Sequence, residues 1–123
     1  MNITGYQAYK KAQIQTADQG RLIIMCYEGT IAFLKQGKMA MLENDVKAST
    51  EHLTKAQNVL WELTNSLNFD AGEIAYNLEA LYNYMIRRII DAHYHGKPEI
   101  IDEVVNFLEE LKESWEKIIY KNR

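Results

Sequence analysis

This sequence predicts an all-α fold, an antiparallel up-down-up-down four-helix bundle with a short N-terminal segment packed on it, and three observations predict it. Among its 123 residues there is one proline, Pro98, and there are six glycines, too few breakers to punctuate a run of strands and turns. Apolar residues recur at intervals of three and four over whole helix lengths, which is the spacing of a bundle seam. The breaks between these runs are short, so helices of about 23 residues, each spanning roughly 35 Å, should turn back on one another.

The first helix is expected over about 18–43, with Asp18 as its cap or Thr16 and Gln19 as a capping box. "ENDVK" supplies the first turn. The second helix, about 45–67, carries Leu53, Ala56, Leu60, Leu63 and Leu67 at 3,4,3,4 spacing. "NFDAG" breaks it. The third, about 72–94, has Ile74, Leu78, Leu81, Met85 and Ala92 along one face. "HGKP" then stops the chain at Gly96 and restarts it with Pro98 near the first helical position. The fourth helix, about 98–120, repeats the seam in Ile101, Val104, Leu108, Leu111, Trp115 and Ile118. The whole of residues 1–123 reads as a single domain.

Composition narrows the function classes. Apolar residues make up 47% and charged ones 25%, a globular balance. Fourteen basic residues against 17 acidic ones leave a net charge of −3, with no basic patch larger than Arg87-Arg88, so no nucleic-acid partner is expected. The N-terminal stretch has no apolar core of a signal peptide, and no apolar run reaches the ~18 residues that span a membrane. A single cysteine, Cys26, leaves no internal disulfide. Together these predict a soluble, cytoplasmic protein.

Chemistry is sparse. His93 and His95 lie two apart near a helix end and diverge, and no histidine has glutamate three residues before it, as di-metal bundles require. Cys26 falls on an apolar face and reads as a small core residue. The carboxylates Glu109, Glu110, Glu113 and Glu116 sit among Lys112 and Lys117 as a solvated helical surface. No catalytic, cofactor-binding or metal-ligating set is expected, and an enzyme is not.

What the sequence has in excess is apolar surface. On the first helix Leu22, Met25, Cys26, Gly29, Ala32, Phe33 and Ala40 make one face, while Ile23, Tyr27, Leu34 and Met41 make a second. On the third helix Tyr82, Ile86, Ile89 and Ile90 widen the arc beside the seam residue Leu78 to about half the circumference. Apolar surface beyond the core's need is how a protein takes a partner helix. Ile23, Tyr27, Leu34, Leu78, Tyr82, Ile86 and Ile90 are therefore the expected partner-binding residues. In the N-terminal segment, Ile3, Tyr6, Tyr9 and Ile14 punctuate a polar stretch. They read as an internal placeholder in the groove or as direct partner contacts. A competing reading makes the same surface a homodimer face, the chain then being a monomer or a weak homodimer.

Several ordered motifs resemble the flagellar secretion chaperone family, the flagellin-specific export chaperones of the bacterial flagellum. They are "YQAYKKAQIQTAD", "RLIIMCYEGTIAFLKQGKMAM", "KAQNVLWELTNSLN", "GEIAYNLEALYNYMIRRIIDAH" and "EVVNFLEELKESW". Asp18-Gln19 stands where members commonly have Ser or Thr and Pro, the loop before Gly72 looks one residue short, and His93 replaces a frequent Asn. The resemblance implies a cytosolic bundle that binds the disordered C-terminal segment of flagellin and prevents premature polymerisation until export. It implies contacts with the export gate and other flagellar proteins for some members.

Overall fold

The computed structural model describes residues 19–121. The expected caps at Thr16 and Asp18, and the segment carrying Ile3, Tyr6, Tyr9 and Ile14, lie outside the described residues. Four helices follow: α1 (Gln19–Leu42), α2 (Val46–Asn65), α3 (Glu73–His95) and α4 (Pro98–Lys121), with a 3-10 turn at Phe69–Ala71 before α3.

Local chemistry sets each reversal. Asn44 stands just past α1 with φ of 59°, a left-handed position that asparagine tolerates. The Asp45 N–H then bonds the Ala40 carbonyl at 2.8 Å, closing the last turn of α1. The same Asp45 accepts from the Ala48 N–H at 3.0 Å and caps α2. One residue thus ends one helix and starts the next. At the end of α2 the Asn68 carboxamide accepts from the Asp70 N–H at 3.0 Å and winds the 3-10 turn. Gly72, at φ of 86°, turns the chain into α3. Gly96, at φ of 65°, caps α3 in the left-handed conformation, and Pro98 opens α4.

α1 packs on α2 and α4, and α3 packs on the same two, giving a square bundle. Neighbours run antiparallel: Gly20 at the start of α1 lies against Ile119 near the end of α4. Lys38 near the end of α1 pairs with Asp102 near the start of α4 at 2.8 Å. Leu34, Leu53, Leu60, Met85, Ile89, Ile101, Val104 and Leu108 are fully buried along the axis. Gly37 marks the closest approach of α1 and α2, since a β-carbon there would lie 2.5 Å from the Leu53 side chain.

The phase of α1 departs from expectation. Tyr27 and Leu34, expected on a second, outward face, have no exposure at all, whereas Met25 is half-exposed and Ala32 exposed. The buried arc is turned by about one residue, or 100°, from the face read as the seam. The reason is that α1 wedges between two neighbours, and its apolar residues nearly encircle it, so periodicity alone leaves the phase open. On α3 the buried arc likewise swings to include Tyr82, Ile86 and Ile89. Tyr27, Leu34, Tyr82 and Ile86 are core, and that corrects the expectation that they form an open surface.

An apolar cleft at one end of the bundle

Three helix ends and one aromatic side chain converge where α1 begins, α2 ends and α3 begins. They enclose a cleft of about 330 Å³ lined by Leu22 and Ile23 from α1, Leu63 and Leu67 from α2, Ile74, Ala75, Leu78 and Tyr82 from α3, and Trp115 from α4. Gln19, Ser66 and Asn68 give it a polar rim. Ile74 is 59% exposed although it continues the α3 seam. It lies past the level at which α2 and α4 can cover it. Beside the rim, Phe69 and Tyr76 pair with ring centroids 4.8 Å apart, both substantially exposed.

Among the described residues, the floor is polar where two tyrosines meet. The hydroxyls of Tyr27 and Tyr82 are 2.6 Å apart, and the Trp115 indole N–H donates to the Tyr27 oxygen at 3.2 Å. Indole is a donor only, so Tyr27 must accept there. Burial pushes the Tyr27 hydroxyl above its ordinary pKa, against the opposing pull of its bonds to Tyr82 and Trp115. Tyr27 therefore stays a neutral phenol linking α1, α3 and α4. Such a floor holds the cleft open to a fixed shape, because shifting any of the three helices would unpair a buried polar group.

Of the residues expected to bind a partner, Ile23, Leu78 and Tyr82 meet in this cleft. Tyr27 supports it from beneath, and Leu34 and Ile86 lie in the core. Ile90 is elsewhere, 48% exposed on the outer face of α3. There it falls on one helical line with Tyr76, Ala80, Asn83, Arg87 and Tyr94, most of them exposed. The sequence reading missed Ile74, Leu67 and Trp115 as cleft residues, having assigned all three to the seam. For Leu67 and Ile74 the available signal was their position beside the connection between α2 and α3.

The other end of the bundle is closed by polar ties. Glu103 on α4 accepts from Arg88 through Nε at 3.2 Å and a terminal nitrogen at 3.1 Å, and from the Tyr84 hydroxyl at 2.6 Å. Asp91 takes a third contact from Arg88 at 3.4 Å. Arg88 first, then Tyr84, hold the Glu103 carboxyl below its ordinary pKa. Their own bonds to Glu103 in turn raise the Tyr84 hydroxyl and Arg88. His93 is 3.1 Å from the Thr50 hydroxyl, tying α3 to α2. Among the described residues no three His, Cys, Asp or Glu side chains converge as metal ligands. No described helix is long and apolar enough to cross a membrane.

The chain matches the sequence profile described as Flagellar protein FliS over residues 2–122. It is 34% identical over 117 residues to the flagellar secretion chaperone FliS of Vibrio cholerae, covering 91% of this chain and 86% of that protein. The Salmonella typhimurium protein of the same name is 33% identical over 121 residues, covering 94% and 90%. The Bacillus subtilis one is 30% identical over 118 residues, covering 96% and 88%. With its whole described bundle inside the matched region, this chain belongs to the FliS family of flagellar proteins.

Proposed function

We propose that this protein is a cytoplasmic chaperone of flagellar export that binds the disordered, apolar C-terminal segment of flagellin and works by binding alone, without catalysis. The observation that carries the reading is the cleft: apolar walls, an entrance rimmed by Gln19, Ser66 and Asn68, and a floor braced by Tyr27 and Tyr82. At about 330 Å³ it is at the small end of ligand sites. It accommodates bulky side chains of a chain segment, an anchor for a longer client. Ile23, Leu78 and Tyr82 are its contacts from the expected set, joined by Ile74 and Trp115. The exposed line through Tyr76, Ile90 and Tyr94 on α3 offers the remainder of the client a second docking surface. The names of the relatives, flagellar secretion chaperones, agree with this use. Binding a disordered segment costs ordering entropy, which moderates affinity and makes release at the export gate feasible.

Residues 1–18 lead directly into Gln19 on the cleft rim, and we assign Ile3, Tyr6, Tyr9 and Ile14 as a placeholder for the client. Tethering gives such a segment a high effective concentration over the cleft.

Calorimetry with a synthetic peptide of the flagellin C-terminal segment tests both statements. Ile74→Ser and Leu78→Ser should weaken binding by about 1–3 kcal/mol, the range for interface anchors. Ile74→Ser, already exposed, should leave the urea midpoint nearly unchanged. Unchanged affinity in both variants would remove the cleft from the client site. Deleting residues 1–15 should tighten binding, because a placeholder lowers the fraction of open molecules. Weaker binding by a folded, monomeric truncation would instead make that segment a direct client contact.

A further inference from the structure

We propose that Arg87 reads a carboxylate of the client, an acidic side chain carried by the flagellin segment beyond the part anchored in the cleft. The proposal rests on the client reading above and adds a charge requirement to it. Of the six residues on the outward line of α3, Tyr76, Ala80, Asn83, Arg87, Ile90 and Tyr94, Arg87 alone is charged. It is exposed, and with Tyr84, Arg88, Ile90 and Asp91 it lines a shallow cavity of about 380 Å³. Ile90 and Tyr84 are 48% and 36% exposed there, so the cation stands beside apolar surface.

The neighbouring charges do not occupy it. Arg88 donates to Glu103 through Nε and one terminal nitrogen, and its other terminal nitrogen lies 3.4 Å from Asp91. Glu103 also accepts from the Tyr84 hydroxyl. Arg87 forms no hydrogen bond or ion pair with a described residue. Asp91 stands one turn further on, but a base four residues before an acid is the weaker order for such a pair. The two adjacent arginines thus divide the work: Arg88 ties α3 to α4, and Arg87 keeps a planar fork of donors facing outward. That fork matches a carboxylate in two-point geometry, which a lysine could not do.

A single cation on an otherwise uncharged line selects one opposing charge and fixes where it must lie. Arg87 is three turns along α3 from Tyr76 beside the cleft rim, about 17 Å. A client leaving the cleft covers that distance in about eleven helical residues or about five extended ones. On a chain of net charge −3, an acidic client would be repelled over most other surfaces. The pair therefore sets the register and direction of the client more than its affinity. Apolar contact with Ile90 and Tyr84 would shield it partly from water, which makes it stronger than an open surface pair.

Calorimetry with the flagellin C-terminal peptide tests this at low and high salt. Arg87→Gln should weaken binding about threefold to tenfold at low ionic strength, with its urea midpoint unchanged. The loss should shrink to less than about twofold near 0.5 M salt, where exposed pairs are screened. Lys35→Gln removes the same charge from α1, diagonally across the bundle, and should leave affinity unchanged. Replacing the acidic residues of the peptide singly by their amides should reveal one whose loss weakens binding to the native chain but not to Arg87→Gln. Unchanged affinity in Arg87→Gln, an equal loss in Lys35→Gln, or the absence of such a coupled carboxylate would each overturn the proposal. Ile74→Ser and Leu78→Ser read the cleft separately. Weakening in those two without weakening in Arg87→Gln defeats this inference alone, whereas no effect in any of the three defeats the client reading as well.

Discussion

The two ends of the bundle are built on opposite principles. At one end Glu103, Arg88 and Tyr84 tie α3 to α4, Lys38 reaches Asp102, and His93 meets Thr50. The α1–α2 turn there is closed by Asn44 and Asp45. At the other end the helices part, the connection lengthens into a 3-10 turn, and apolar side chains surround a cavity in place of packing one another. The contrast teaches where such a protein can keep a binding site at little cost to its fold. Interdigitated side chains and polar ties hold the closed end and the middle, leaving apolar surface uncovered at the open end, where the client site is proposed.

Four measurements sharpen or break this contrast. The largest effect is expected at Leu60, fully buried one turn below the cleft residue Leu63. Leu60→Ala should cost about 2–5 kcal/mol in urea unfolding, as large-to-small core changes do. An unchanged midpoint would mean that looseness extends far below the cleft. Next comes Gly37 toward the closed end, where Leu53 fills the space that a methyl group would need. Gly37→Ala should destabilise by about 1–3 kcal/mol despite its better helix propensity. Stabilisation would show that α1 and α2 are not closely packed there. At the open end, Tyr27→Phe keeps the ring but removes the acceptor for the Trp115 N–H and one hydrogen bond of Tyr82. It should cost about 1–3 kcal/mol, the penalty for leaving a buried donor unpaired, and should alter client affinity as the cleft floor loosens. A loss of stability without change in affinity would show the floor to be purely structural.

The smallest effect is electrostatic. The carboxyl of Glu103 is held below its ordinary value of 4.5 in the folded state. It therefore contributes stability above that value, and the contribution is lost as pH falls through the depressed one. Glu103→Gln should slightly lower stability at neutral pH and flatten the acid limb of the stability curve. Because the group is partly exposed, added salt should shrink the difference. An equally steep acid limb in the variant would place the acid sensitivity elsewhere.

The bundle itself was legible because its signals are local. Asp45, Gly96 and Pro98 act through their own backbone geometry, and the Ile101, Val104 and Leu108 spacing of α4 needs only one helix to be seen. The face of α1 was not legible, because Leu22, Ile23, Ile24, Cys26, Tyr27 and Ile31 leave few phases clearly polar. Two flanking helices decide which of them is covered. The cleft lining was half legible: Ile23 and Leu78, read as apolar surplus, line it, but Tyr27, Leu34, Tyr82 and Ile86, read with them, are buried, Tyr82 at its floor. A cleft made from four separate helices has no periodicity of its own. Ile74 and Trp115 enter it through where their helices start and end relative to the neighbours, a long-range property that no single stretch encodes.

The indole of Trp115 supplies an optical readout of all this. It stands in the cleft wall, half-buried, with its N–H engaged by Tyr27. The only other tryptophan, Trp61, is 48% exposed on α2 and does not line the cleft. Exciting the native chain therefore mixes emission from a watery indole with that from a sheltered one. In Trp61→Phe the remaining signal belongs to the cleft alone. Its emission should shift toward the blue and resist iodide quenching as an apolar segment enters and expels water. Loading and release could then be followed in real time on an unlabelled chaperone, with no dye to occupy the site being watched.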